Sequence, residues 1–178
     1  MNDERKLSET RIRGEVLFEG RMLRLERDRV RLPNGSETSR EVVRHPGAVA
    51  VIALQCQEIL MVRQYRYAIA RETLEIPAGK IDPNESPLSC AIRELREETG
   101  YRGVMEPIST FYTTPGFTDE VMHIFLARDL VWDPLTTDDD EFLAVEKIPW
   151  SEALKRALQN EFIDAKTILG ILLVQGRL

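Results

Sequence analysis

Cysteine and histidine are scarce in this chain: only Cys56, Cys90, His45 and His123 occur in 178 residues. Two cysteines, one of them inside a helical pattern, cannot build the multi-bridge framework of a small secreted domain, so the chain suits a reducing cytoplasm. Without a Cys/His cluster there is no zinc alternative for a metal site. Positive charge is short as well, with a formal net charge of -6. Surfaces that coat nucleic acid need clustered Lys and Arg, so no nucleic-acid partner is expected, and a phosphate-bearing ligand calls for a cation as counter-charge. No apolar stretch approaches the roughly 20 residues of a membrane span, and residues 1–13 are charged and polar without the apolar segment of an export leader. Internal repeats and low-complexity tracts are also missing, which removes solenoids and linkers.

What is present is a 43% hydrophobic content, enough for one main core at this length. Leu32-Pro33-Asn34-Gly35 reads as a turn between strand candidates at 22–31 and 38–45, so the opening third predicts a small β-meander. Nearly continuous apolar runs at 48–54 and 59–62 predict buried central strands. Shorter strand candidates follow at 74–77, 108–113, 121–127 and 143–148. A helix is predicted over 87–99, with Ser86 as N-cap, Pro87 in the first turn, Gly100 as stop, and an apolar stripe of Leu88, Ala91, Ile92 and Leu95. A second helix is predicted from near Ser151, with Leu154 and Leu158 on one face, and a third over 166–174. Strands and helices mix, which predicts an α/β sandwich.

Glu94, Glu97 and Glu98 stand three and four residues apart on the first helix, so their carboxylates share one sector of its surface. Like charges at that spacing repel by a few tenths of a kcal/mol per pair, and more where water is excluded, so a cation is expected among them. Arg93, four residues before Glu97, supplies one locally, and taken alone the helix reads as a solvated charged face. The other source is Mg²⁺ or Mn²⁺, hard ions that prefer carboxylate oxygen and keep positions open for water and phosphate.

The wider pattern separates these readings. Gly79, five residues, Glu85, seven residues, then Arg93-Glu94-Leu95-Arg96-Glu97-Glu98-Thr99-Gly100 resembles the box of the Nudix hydrolase family. The one soft departure is Tyr101, where the family usually has an aliphatic residue. The resemblance implies an α/β/α sandwich with a mixed sheet, preceded by a small N-terminal antiparallel β segment. It also implies Mg²⁺-dependent cleavage of a nucleoside diphosphate compound, with Mn²⁺ as a possible substitute. It makes Glu94, Glu97 and Glu98 metal ligands together with the backbone carbonyl of Ala78, with Glu97 counted in the catalytic set. Arg93 would orient the glutamates, Glu85 would brace Arg93, and Gly79 would permit a tight entry.

Three more stretches resemble the ADP-ribose pyrophosphatase branch: residues 62–67, residues 74–80, and Thr114-Pro115-Gly116-Phe117, with Pro115 fifteen residues beyond Gly100. The branch implies hydrolysis of ADP-ribose, or a related nucleoside diphosphate sugar, to AMP and ribose 5-phosphate. It implies Glu141, in the acidic stretch 133–141, as general base, with Asp139 and Asp140 as rivals. It further implies a homodimer in which residues 1–44 help build the partner's site, leaving 45–178 as the hydrolase domain. Arg66 could fork across phosphate oxygens and Glu75 could accept a substrate hydrogen bond, yet each also reads as an ordinary strand charge. Phe18 could stack on adenine, although an aromatic there is more often core. Arg40 joins Pro115 as a further substrate contact. The competing readings are a Nudix enzyme for a GDP-sugar, NADH or FAD, and a non-catalytic ADP-ribose-binding module.

Overall fold

The computed structural model describes residues 7–136 and 142–177. The chain divides into two compact units, one formed by residues up to Gly47 with Tyr112–Val121, the other by Ala48–Phe111 with Met122 onward.

In the first unit, β1 (Thr10–Glu19), β2 (Arg24–Arg31) and β3 (Glu37–Arg44) form an antiparallel sheet in that order. The β2–β3 turn falls where the sequence places it. Gly35 takes a φ of 84°, and the Asn34 carboxamide oxygen accepts from the Ser36 amide at 3.0 Å. From Glu26 onward burial on β2 alternates, but two of the buried positions are acids, Glu26 and Asp28. Arg44 donates to Glu26 at 2.9 Å and Arg11 to Asp28 at 2.8 Å, so both buried charges are paired. β1 escaped the sequence reading because every one of its residues is exposed, leaving no period-two apolar signal. Phe18 lies on this strand at 60% exposure, so its expected place in a core is not observed.

The second unit holds β4 (Ala48–Gln55), β5 (Glu58–Arg66), β6 (Arg71–Glu75), β7 (Ala78–Lys80), β8 (Tyr101–Tyr112), β9 (Val121–Trp132) and β10 (Leu143–Pro149) in one sheet. Its order is β10-β5-β4-β9-β8, with β6 beside β5 and β7 beside β4. The sheet is mixed, since β4 runs parallel to β9 and antiparallel to β5 and β7. Residues of β4 alternate between two cores. Val49, Val51 and Ala53 pack with Cys90, Ala91 and Leu95 of α1 (Pro87–Thr99), while Ala50 and Ile52 pack with residues of α2 (Trp150–Leu158) and α3 (Ala165–Gln175). This is the expected α/β/α sandwich. A fully buried Ile or Leu contributes about 1.5–3 kcal/mol, and Ile52, Leu60, Leu95, Ile124 and Leu126 are all in that state.

Boundaries differ from expectation where strands are exposed. β8 begins at Tyr101 rather than 108 and β9 runs on to Trp132, because the added residues are largely solvent-facing and carry little apolar periodicity. Leu158 is exposed at the end of α2. No helix among the described residues is long and apolar enough to cross a membrane.

Candidate active site

The approach to α1 is built by local chemistry. The Ser86 hydroxyl caps the helix by accepting from the Ser89 amide at 3.1 Å, and Pro87 occupies the first turn, where its missing N–H costs nothing. Gly100 ends the helix in the left-handed region at φ 79°, its N–H reaching the Arg96 carbonyl at 3.0 Å. A side chain there would also overlap the Trp132 ring. Pairing of β7 with β4 sets Ala78 opposite Ala50 and Gly79 opposite Val49, which brings the Gly79 backbone against α1. A Cβ on Gly79 would overlap the Glu94 carboxylate, so only glycine lets the strand and that acid approach so closely.

The face of α1 turned inward differs from the expected stripe. Leu88 is exposed, while Glu94 and Glu98 are buried at 7% and 4% exposure. The solvated-face reading of these acids is therefore overturned, and the reason is on the opposing strand. The Ala78 amide donates to Glu98 at 2.8 Å, giving a buried carboxylate the hydrogen bond that burial demands. Arg93 gathers the rest. It donates to Glu94 and Glu97 at 2.8 Å each, to both Glu85 oxygens at 2.9 Å, and to the Lys80 carbonyl at 3.2 Å. Those hydrogen bonds, countered by partial burial, pull the Glu85 carboxyl down to about 2, and they raise the Arg93 guanidinium above its ordinary value. Burial and the charges of Glu94 and Glu85 push the Cys90 thiol up, so it stays protonated and donates to the Lys80 carbonyl at 3.3 Å.

Three carboxylates, Glu85, Glu94 and Glu97, pair with the one Arg93 guanidinium, and Glu98, one turn beyond Glu94, is buried against the Ala78 amide. Among the described residues no three acid, His or Cys side chains already form a cage for an ion, since Arg93 holds two of these glutamates itself. The donor set nevertheless fits a hard divalent cation, being carboxylate oxygen throughout. A groove of about 920 Å³ along Cys56, Glu58, Arg128 and Trp150 takes in none of the box residues.

Arg66 and Glu75 meet each other. Arg66 forks across both Glu75 oxygens at 2.8 and 2.6 Å, Thr73 donates to Glu75 at 2.6 Å, and Lys166 reaches the same carboxylate from α3. Burial opposes ionisation of Glu75, but these donors outweigh it and hold its carboxyl at about 2. Lys166, Asp164 and Thr167, all on the first turn of α3, are members of this cluster that the sequence reading missed. The signal was a capping pattern, since Asp164 accepts from the Thr167 amide at 3.0 Å.

In the first unit, Pro115 lies in a turn tied to β3. The Val43 amide donates to the Phe117 carbonyl at 2.8 Å, and Arg44 pairs with Asp119 at 3.0 Å. Arg40 and Pro115 line one groove of about 400 Å³ with Tyr112 and Phe117, while the Arg40 guanidinium is held by Glu9 at 2.6 and 3.0 Å. Glu141, Asp139 and Asp140 lie outside the described residues.

An α/β/α sandwich whose first helix presents buried glutamates against a glycine-bearing strand defines a hydrolase of the Nudix class. Residues 43–168 match the NUDIX domain model, and the chain belongs to that family, whose hydrolases require a divalent metal. Residues 9–43 match the model described as nucleoside diphosphate sugar hydrolase N-terminal domain. Among curated relatives, an ADP-ribose pyrophosphatase of Bacillus subtilis is 43% identical over 96% of this chain and 95% of its own length. A methanol dehydrogenase activator of Bacillus methanolicus is 42% identical over 94% of this chain and 92% of its own. A crystal structure of an ADP compounds hydrolase superposes with a TM-score of 0.85 at 23% identity, covering 96% of this chain and 94% of that one, which bears on the fold.

Proposed function

We propose that this chain hydrolyses the pyrophosphate bond of ADP-ribose, or of a related nucleoside diphosphate sugar, to AMP and ribose 5-phosphate. The observation that carries the reading is the gathering of Glu94, Glu97 and Glu98 on one face of α1, with Glu94 and Glu98 buried and Arg93 tying Glu94 and Glu97 to Glu85. In it Glu94, Glu97, Glu98 and the Ala78 carbonyl hold Mg²⁺, for which Mn²⁺ can substitute. When bound, the cation offsets charge on the diphosphate and lowers the pKa of a water.

The chain's own groups do the rest. Arg93 keeps Glu94 and Glu97 aligned, and Arg66 supplies a guanidinium for a diphosphate oxygen. Glu141, or Asp139 or Asp140 beside it, accepts the proton as water attacks phosphorus and the bridging P–O bond breaks. Pro115 and Arg40 shape the sugar-nucleotide end, Glu75 holds Arg66, and Phe18 offers an aromatic face to the base. Residues 1–44 form a dimerisation segment, supported by the exposed Ile12, Val16, Leu17 and Phe18 of β1. Both cysteines are free, as a cytoplasmic setting would leave them.

Hydrolysis of ADP-ribose, GDP-mannose and NADH compared with Mg²⁺ tests the substrate, and a dominant rate on either of the latter two overturns it. Glu97→Gln is expected to lower the Mg²⁺-dependent rate by roughly 10²-fold or more. An unchanged rate would favour a binding module instead. Sedimentation equilibrium is expected to return twice the 20.4 kDa chain mass, and a monomer mass would remove the dimer.

A further inference from the structure

Glu75 is a buried acid paired with the arginine proposed above as the phosphate contact. It is 2% exposed, whereas the Arg66 side chain above it is 41% exposed. Both Nε and Nη2 of Arg66 are committed to the Glu75 oxygens. A buried carboxylate that loses its cation is left uncompensated in a medium of low polarity, so a guanidinium paired with it does not readily turn to another anion. A phosphate approaching Arg66 would have to compete with Glu75 for it.

Lys166 resolves that competition. It arrives from the first turn of α3, 91 residues along the chain, and contacts the same Oε2 that Arg66 holds. Its own side chain is mostly buried and is fixed from the other side by Asp164 at 3.0 Å. Thr73 adds a hydroxyl donor to Oε1. With Arg66 removed, Glu75 would still have the Lys166 ammonium, which it shares with Asp164, and the Thr73 hydrogen bond. The next residue, Ile76, donates its amide to the Thr167 hydroxyl at 3.0 Å, and two residues further the Ala78 amide donates to Glu98. The first turn of α3 thus braces the strand segment that carries both Glu75 and a site-facing backbone.

We propose that Lys166 is a positioning residue for substrate: by holding the charge of Glu75 it frees the Arg66 guanidinium to turn from Glu75 to a diphosphate oxygen beside the Glu98 carboxylate. Arg66 and Lys166 are not equivalent partners of one acid, since the Arg66 side chain is 41% exposed and that of Lys166 only 12%. The inference rests on the reading of Arg66 as a phosphate contact.

Steady-state kinetics test it, on whichever of ADP-ribose, GDP-mannose and NADH the unaltered protein cuts fastest. An error in the substrate assignment then shows in the unaltered protein and leaves the comparison among variants intact. Lys166→Met is expected to raise KM about tenfold or more with kcat changed less than about threefold, and Lys166→Arg to restore KM. Arg66→Met is expected to raise KM as well. If Arg66→Met raises KM and Lys166→Met does not, the role of Lys166 is overturned while the phosphate contact stands; if neither does, both fall. Equal losses in Lys166→Met and Lys166→Arg, or a loss confined to kcat, also overturn it. Where Lys166→Met does not fold, Glu75→Gln/Lys166→Met decides, because neutralising Glu75 removes the need for Lys166. Its KM is expected within about threefold of Glu75→Gln alone, and a further tenfold rise overturns the proposal.

Discussion

Arg93 divides one guanidinium among Glu85, Glu94, Glu97 and the Lys80 carbonyl. That distribution depends on a planar fork, which an ammonium cannot reproduce. Arg93→Lys is therefore expected to keep the charge and lose the geometry, lowering kcat by on the order of tenfold while KM changes little; equal activity in the two proteins would show that charge alone suffices. Arg93 and its three glutamates were legible in the chain because Gly79, Glu85 and residues 93–100 are close in sequence and their separation is set by one loop and one helix, whereas the Lys80 carbonyl was not. Their burial was not legible. Glu94 and Glu98 read as solvent-facing on α1, and only β7, placed by its pairing with β4, turns them inward.

At the scale of elements, α3 shows how much of the site is held from a distance. Thr167 is fully buried, accepts from the Ile76 amide, and donates to the Asp164 cap at 2.6 Å. Thr167→Val keeps the volume and removes the acceptor, leaving a buried N–H unpaired, a change expected to cost about 1–3 kcal/mol. Urea unfolding of the two proteins measures it, and a difference below about 0.5 kcal/mol would mean that the amide finds another partner. The limits of α1 were close to their sequence signals because caps are local: Ser86, Pro87 and Gly100. Strand limits were less legible. β1 is exposed along its length, and a strand without a buried face carries no alternation to find; at the start of β8 only Tyr101, Gly103 and Met105 are half-buried, too weak a face to mark the strand.

For the whole molecule, Glu75 supplies one part of the acid limb of stability. Its carboxyl is held at about 2 against an ordinary 4.5, so the folded state binds fewer protons than the unfolded chain between those values. The contribution is fully present above about pH 5 and is lost as pH falls toward 2; it is on the order of 3 kcal/mol, a sizeable part of a typical domain's stability. The stability gap between the unaltered protein and Glu75→Gln is expected to narrow steadily below about pH 4.5 in urea titrations, and a gap independent of pH would overturn this. The sequence by itself determined the sandwich, the family and the carboxylate cluster, because apolar runs, caps and the box spacing act over at most a few turns of chain. Tertiary structure alone decided which acids are buried, that Arg66 is held by Glu75, and that Lys166 completes the pair. Those contacts join residues up to 91 apart, and no local propensity reports on which distant side chain will share a buried charge.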